Sequence, residues 1–191
     1  NACSYDPLTG TLYDPFDAVG DIRNRTINIT DEITFQEDPL RVLRIMQFAG
    51  RFEFEVGDDT KKLCRQMVAG VDIDTLSKDR ITKEMRKLVV KSRQPSCGLR
   101  FALEIGLVEK YWPELFALVG VPQDPSWHPE GDVWVHTLQV VDAASLIADR
   151  EGLDDKKKEV LVWGALLHDT GKPAKTATCE GMIRSHGHEK A

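Results

Sequence analysis

The pattern of apolar and polar positions changes period along the chain. Tyr5-Asp6-Pro7-Leu8-Thr9-Gly10-Thr11-Leu12-Tyr13 sets Pro and Gly turn residues between short apolar arms, which predicts a hairpin. Arg25-Thr26-Ile27-Asn28-Ile29 alternates polar and apolar residues, as a strand does. From Asp38 the period is helical: Val42, Ile45, Met46 and Ala49 make one apolar face, and Arg41, Arg44, Phe48 and Arg51 make a basic, aromatic stripe opposite. Asp38-Pro39 is a helix-start signal. Further helices are predicted over 61–69, over 77–90 with Ser77 as cap and Ile81, Met85, Leu88 and Val89 inward, over 96–106, and over 107–119 with a break at Trp112-Pro113. Three prolines within 121–131 predict a linker. Beyond it lie helices over 133–149 and 155–167, the second apolar along Val160, Leu161, Val162, Trp163, Ala165, Leu166 and Leu167. The predicted fold class is mainly α, with a small β piece at the start.

Composition narrows the class. Of 191 residues, 41% are hydrophobic and 29% charged, which suits a soluble globular chain. No apolar run approaches the roughly 18 residues of a membrane span, so no membrane partner is expected. Nothing at the start resembles a secretion signal. Cys3, Cys64, Cys97 and Cys179 form no Cys-x-x-Cys pair, so reduced thiols and a cytoplasmic location are expected. The chain opens on Asn1 rather than Met, as a cut or processed fragment would.

The net charge of −6 argues against bulk attraction to nucleic acid. The residues from Lys78 to Arg100 depart from that balance: eight are basic and two acidic, a local +6. Such a band suits either phosphate binding or a solvated helix face.

Two constellations carry chemistry. Asp38 and Arg41, three apart at a helix start, share one face. A carboxylate only accepts and a guanidinium only donates, so the pair can copy the hydrogen-bond edge of a nucleobase. Pairing of Arg41 and Arg44 with Glu37, Glu53 or Glu55 is the structural alternative. The second constellation is His136 with His168-Asp169, set on different helices, a donor set for a divalent transition metal. Gly171-Lys172 follows and is placed to meet a phosphate.

In this order the motifs resemble those of the bacterial-type tRNA nucleotidyltransferases (CCA-adding enzymes) and the related poly(A) polymerases. Asn1-Ala2 is similar to the tail of an Asp-Phe-Thr-x-Asn-Ala motif. Asp14 to Ile22 is similar to the hinge between head and neck, although Asp17-Ala18 stand where the family usually carries a Gly pair. Glu37-Asp38-x-x-Arg41 matches the nucleotide-selecting motif, and Asp79-Arg80-Ile81 resembles the neck motif Glu-Arg-Ile. The resemblance implies that Asp38 and Arg41 select CTP and ATP for addition to tRNA, with Glu37, Arg44, Arg80 and Asn1 in the nucleotide site. It implies that the basic stretch from Arg80 to Arg93 shapes the neck or touches tRNA. The head strands that hold Mg²⁺ in the family are missing, so nucleotide transfer by these residues alone is not expected.

The C-terminal part resembles the HD superfamily of metal-dependent phosphohydrolases. His136, His168 and Asp169 match its first His and its His-Asp dyad, and His188 resembles a later His. The resemblance implies Ni²⁺ or Mn²⁺ there, weakly held because a further Asp ligand is expected past Ala191. The implied organisation is a head remnant over 1–30, a helical neck and body over 31–120, the linker over 121–131 and a partial HD domain over 132–191. The leading expectation is thus a tRNA nucleotidyltransferase. Poly(A) polymerase is the near alternative, an HD phosphohydrolase the second class, and a non-catalytic RNA-binding module the third.

Overall fold

The computed structural model describes residues 3–70, 72–179 and 182–190. It is mainly helical, as expected. The chain opens on the predicted hairpin, β1 (Ser4–Asp6) against β2 (Thr11–Tyr13), whose side chains are all exposed. The segment after Asp14-Pro15 forms α1 (Ala18–Asn24). Asp14 stands in for the missing cap: its two carboxylate oxygens accept the N–H groups of Ala18 at 2.8 Å and Val19 at 2.9 Å. The strand predicted over 25–29 shrinks to β3 (Thr26–Ile27), which pairs in parallel with β4 (Glu55–Val56). That partner lies beyond two helices, so the local pattern could not have shown it.

Between these strands run α2 (Glu32–Gln36) and α3 (Leu40–Phe52). Asp38 accepts the Leu40 N–H at 3.2 Å and so does part of a cap's work one residue before Pro39. Next come α4 (Asp58–Ala69), a 3-10 turn (Asp72–Thr75) and α5 (Lys78–Lys91). Ser77 caps α5, and Ile81, Met85, Leu88 and Val89 all point inward. Helices α6 (Pro95–Glu104), α7 (Leu107–Tyr111) and α8 (Pro113–Phe116) follow, with the break at Trp112-Pro113 in place. Helix α3 lies against α5 and α6. Gly98 makes the α3–α6 approach possible, because a Cβ there would sit 2.4 Å from the Met46 carbonyl oxygen.

After the proline-rich segment, α9 (Val133–Arg150) and α10 (Asp155–Leu167) form a hairpin of helices, followed by α11 (Lys172–Lys175), β5 (Ala177–Cys179) and β6 (Met182–Arg184). Residues 121–131 are irregular but tightly tied. Val121 accepts the Val133 N–H at 3.0 Å, Asp132 accepts that of Gly120 at 2.7 Å, and Gln123 is buried. Helix α9 packs on α6 and α10 on α5, so one apolar core runs from Phe35 to Leu166 across that segment. Four polar residue pairs cross the same junction. Asp142 of α9 accepts the Ser96 N–H at 2.9 Å and hydroxyl at 2.6 Å, capping α6 from outside. Ser145 donates to the Ser92 carbonyl at 2.6 Å. Arg86 and Lys91 of α5 meet Glu159 at 2.7 Å and Asp155 at 2.6 Å on α10.

Helix α10 departs from its apolar pattern. Lys158, Val162 and Leu166 are buried, on one i, i+4 stripe, while Val160, Leu161 and Leu167 are exposed. Apolar residues that are adjacent in sequence surround a helix, and only one stripe can face α5 and α9. Burial pushes the Cys64 thiol up to about 12, and Cys3, Cys64 and Cys97 are all free thiols. No helix among the described residues is long and apolar enough to cross a membrane.

Candidate functional sites

The first site forms where α2, α3 and α5 meet. Asp38 and Arg41 leave the same first turn of α3 but are not joined by an ion pair among the described residues. Asp38 is held by Arg80 of α5, whose Nη2 lies 3.2 and 3.3 Å from its two carboxylate oxygens. Arg41 turns the other way and donates to the Thr34 carbonyl of α2. Arg41 and Arg44 line a cleft of about 240 Å³ with Asn28, Phe35, Ile45 and Phe48. The Arg44 guanidinium lies 5.7 Å from the Phe48 ring centroid. Glu37 is exposed at the end of α2. The structural alternative, in which Arg41 and Arg44 pair with Glu37, Glu53 or Glu55, is not what the described residues show. Asn1 lies outside the described residues. Half of the basic band is paired within the molecule: Arg80 binds Asp38 ahead of α3, Arg86 and Lys91 bind acids on α10, and Lys87 binds Glu84.

The second site gathers around Asp169, which is 2% exposed at the end of α10. His136 comes from the first turns of α9, His168 from the residue before, and His188 from a 3-10 turn (His188–Lys190). Their Nε2 atoms lie 3.9, 3.1 and 3.4 Å from the Asp169 carboxylate oxygens. Lys172, on α11, brings its Nζ to 2.8 Å. All four metal-site residues named from the sequence therefore converge.

The other ring nitrogens explain the orientation. His136 Nδ1 lies 2.7 Å from Glu130 Oε1, His168 Nδ1 lies 2.8 Å from the Ala165 carbonyl, and His188 Nδ1 lies 2.7 Å from the Ser185 carbonyl. Each of these oxygens can only accept, so each Nδ1 carries a proton and each ring presents its Nε2 to Asp169. Glu130 Oε1 also takes His128 Nδ1 at 3.0 Å. Hydrogen bonds from its own backbone N–H, then from His128 and His136, pull the Glu130 carboxyl down to about 2. His128, Glu130 and His136 themselves have the spacing to hold an ion. Two N–H groups already meet Glu130 Oε1, however, and an orienting role needs no ion.

Glu130 and His128 escaped the sequence reading because they sit in a segment read as linker. The available signal was a His-Pro-Glu run six residues ahead of His136.

The donor set fits a divalent metal. Asp169 Oδ2 is buried and no donor meets it with hydrogen-bond angles. His136, His168 and Asp169 offer three ligand atoms within 4.8 Å of one another. Burial pushes the Asp169 carboxyl up, but its contacts with His168 and Lys172 outweigh burial and the net shift is downward. The same contact holds the His168 imidazole above its ordinary value, against burial. An ion entering here would replace that proton and displace the ammonium of Lys172.

The HD domain family matches residues 133–191. The chain is 38% identical over 186 residues to the multifunctional CCA protein of Halorhodospira halophila, covering 95% of this chain and 42% of that protein. It is 36% identical over 194 residues to the multifunctional CCA protein of Thioalkalivibrio sulfidiphilus, covering 100% and 44%. The chain thus spans about two fifths of the length of the curated relatives it matches. Among solved structures, a tRNA-processing enzyme is 22% identical with a TM-score of 0.59, over 87% of this chain and 44% of its own. A CCA-adding enzyme in complex with ATP is 20% identical with a TM-score of 0.57, over 88% and 37%. At these identities the two structures share the fold.

Proposed function

The chain is homologous to the CCA-adding tRNA nucleotidyltransferases across the segment it spans, and on that premise we propose that Asp38 and Arg41 select CTP and ATP for addition to tRNA 3′ ends. Cytosine and adenine both present an exocyclic amine beside a ring nitrogen acceptor. Asp38 accepts from the amine and Arg41 donates to the ring nitrogen. Uracil and guanine present a carbonyl and an N–H at those places, so the carboxylate would face an acceptor and the guanidinium a donor. Each group left unpaired costs about 1–3 kcal/mol, and two together give useful discrimination. The observation that carries the reading is the separation of the two groups. Each is braced by a residue outside the pair, Arg80 or Thr34, which keeps the acceptor and the donor from neutralising each other. Arg44, which lines a cleft with Arg41, would meet the base or the phosphates. Glu37 follows as the neighbour that completes the motif, and tRNA is the partner.

Phosphoryl transfer also needs carboxylates for Mg²⁺, and none of the groups described above is given that role. The test is therefore made on the full-length gene product, with tRNA lacking its 3′ nucleotides and each labelled NTP. The natural protein is expected to incorporate C and A. Asp38→Ala is expected to narrow the preference for CTP and ATP over UTP and GTP by about tenfold or more, the equivalent of one lost pairing. An unchanged choice of nucleotide would remove the selecting role. Addition of long A runs alone would assign the poly(A) polymerase alternative.

A second reading rests on a separate observation, the three Nε2 atoms aimed at a buried carboxylate. Around His136, His168, Asp169 and His188 we infer a site for Ni²⁺ or Mn²⁺ and metal-dependent phosphoester hydrolysis. When bound, the ion would polarise a phosphoryl oxygen and acidify water into a nucleophile near neutral pH. Glu130, Ala165 and Ser185 keep the imidazoles in the ligating tautomer. Lys172, once displaced from Asp169, carries a positive charge suited to the phosphate.

A further inference from the structure

Of the four tryptophans, Trp112, Trp134 and Trp163 are buried or half-buried, whereas Trp127 is 82% exposed. Its backbone is nonetheless fixed. The Asp124 carbonyl accepts the N–H groups of Trp127 at 3.1 Å and His128 at 2.9 Å, and the Asp124 carboxylate accepts that of Ser126 at 2.9 Å. A large ring displayed on a tied turn is doing nothing for the core. It lines a cleft of about 360 Å³ together with Lys172, Arg184, His186 and His188. Lys172 and His188 are two of the residues that touch Asp169, so the cleft opens onto the candidate metal cluster. Its size falls within the roughly 300–1,000 Å³ of small-molecule sites. The exposed Trp127 ring and the largely covered Lys172 in one cleft match the two halves of a nucleoside phosphate.

We propose that Trp127 is a stacking platform for the base of a nucleoside phosphate whose phosphate points toward Lys172 and the Asp169 cluster. This rests on the phosphohydrolase reading of that cluster and adds to it a subsite for the base. Stacking tolerates any base, since every base has a π-face, so the platform selects nucleotides over bare phosphate without choosing among sequences. Arg184 and His186 flank the same cleft and suit the sugar–phosphate side. The shared ligand chemistry comes from two sources, a free nucleotide or the terminal nucleotide of an RNA.

The test uses the whole chain with Mn²⁺ present. Calorimetry measures the affinity for inorganic phosphate, for adenosine 3′-monophosphate and for guanosine 3′-monophosphate, while NMR follows the indole N–H signals. Both nucleotides are expected to bind at least about tenfold more tightly than phosphate, as one stacked base warrants, and to shift the Trp127 signal. Trp127→Ala should abolish that surplus, and Trp127→Phe should keep most of it. A trinucleotide with a 3′-phosphate separates the sources: tighter binding than the mononucleotide supports the platform on an RNA end, and equal binding supports it on a free nucleotide. If phosphate binds but the nucleotides bind no better, or if Trp127→Ala leaves their affinity unchanged, the platform is overturned while the metal site stands. If neither phosphate nor nucleotide binds, the phosphohydrolase reading falls and the platform with it.

Discussion

The Asp38 turn and the Asp169 pocket each set one carboxylate among positive groups, and they hold it in opposite ways. The Asp38 side chain is 35% exposed and its Arg80 partner 47% exposed. An exposed pair of that kind contributes about 1 kcal/mol or less and is weakened by salt. Such a carboxylate can turn to an incoming base at little cost. Asp169 is 2% exposed and faces three imidazoles whose far nitrogens are each tied to an oxygen. Its surroundings are set before any ligand arrives. The contrast suits the two proposed tasks, since reading an exchangeable base needs a yielding partner and holding an ion needs fixed donors.

Asp169→Asn offers the largest way to break that contrast. It removes the charged ligand and keeps the side-chain volume. We expect the affinity for Mn²⁺, measured by calorimetry, to fall by at least about 100-fold, the upper end of what even a supporting residue costs, with the circular dichroism of the chain retained. Nucleotide choice by the full-length gene product should not change. A variant that lost both would show that the two sites are one functional unit.

Glu130→Gln sharpens the comparison with a smaller effect. Both Nδ1–H groups meet the one oxygen Oε1, and a glutamine oxygen there keeps two acceptor sites but not the charge, so both bonds weaken and the charged partner of His136 is lost. Loss of such a supporting partner typically costs about 10–100-fold in metal affinity. The same calorimetry checks it, and ¹⁵N NMR of the His136 ring reports whether the tautomer is released. An unchanged affinity would mean that His136 is oriented by packing alone.

Arg80→Ala probes the yielding side. It frees Asp38 without removing it, so discrimination between CTP and UTP should weaken only a few-fold, in keeping with the ~1 kcal/mol ceiling of an exposed pair. Raising the salt should reduce the difference between this variant and the natural protein. A loss as large as that of Asp38→Ala would place Asp38 under rigid control after all.

The two sites also differed in how far the sequence disclosed them. Asp38 and Arg41 share a turn, and His168-Asp169 are adjacent, so local spacing was enough to bring each pair forward. Helix boundaries marked by Ser77 and Pro113 followed from capping and proline chemistry and agree with the structure. What stayed hidden depends on tertiary contact. Arg80 reaches Asp38 across 42 residues, Asp142 caps α6 across 46, and β3 finds β4 beyond two helices. The 121–131 segment was read from its prolines as a boundary, which obscured Glu130. Prolines disfavour the interior of helices and strands, but they also stiffen a chain, and here Asp124 and Asp132 tie it down.

Asp17→Gly carries the smallest expected effect and extends the contrast to the turn ahead of α1, on the Asp38 side. Asp17 has φ 54° and ψ 38°, a left-handed conformation that glycine adopts freely and that costs other residues roughly 1–2 kcal/mol, less for Asp and Asn. The chain accommodates it locally. Asp14 caps the following helix, and Gly20 leaves room for the Asp17 carboxylate, since a Cβ there would lie 2.3 Å from its Oδ2. Glycine at position 17 would relieve the backbone but would lose about 0.5–1 kcal/mol through the freedom it gives the unfolded chain. The two effects nearly cancel, so stability should change by less than about 1 kcal/mol, a shift in Tm of only about 2–4 °C for a chain of this size. Asp17→Ala keeps the strain and loses the polar side chain that tolerates it, so it should melt below Asp17→Gly. The reverse order in a thermal melt would mean that the Asp17 backbone is not under strain and that this turn is as firmly built as the Asp169 pocket.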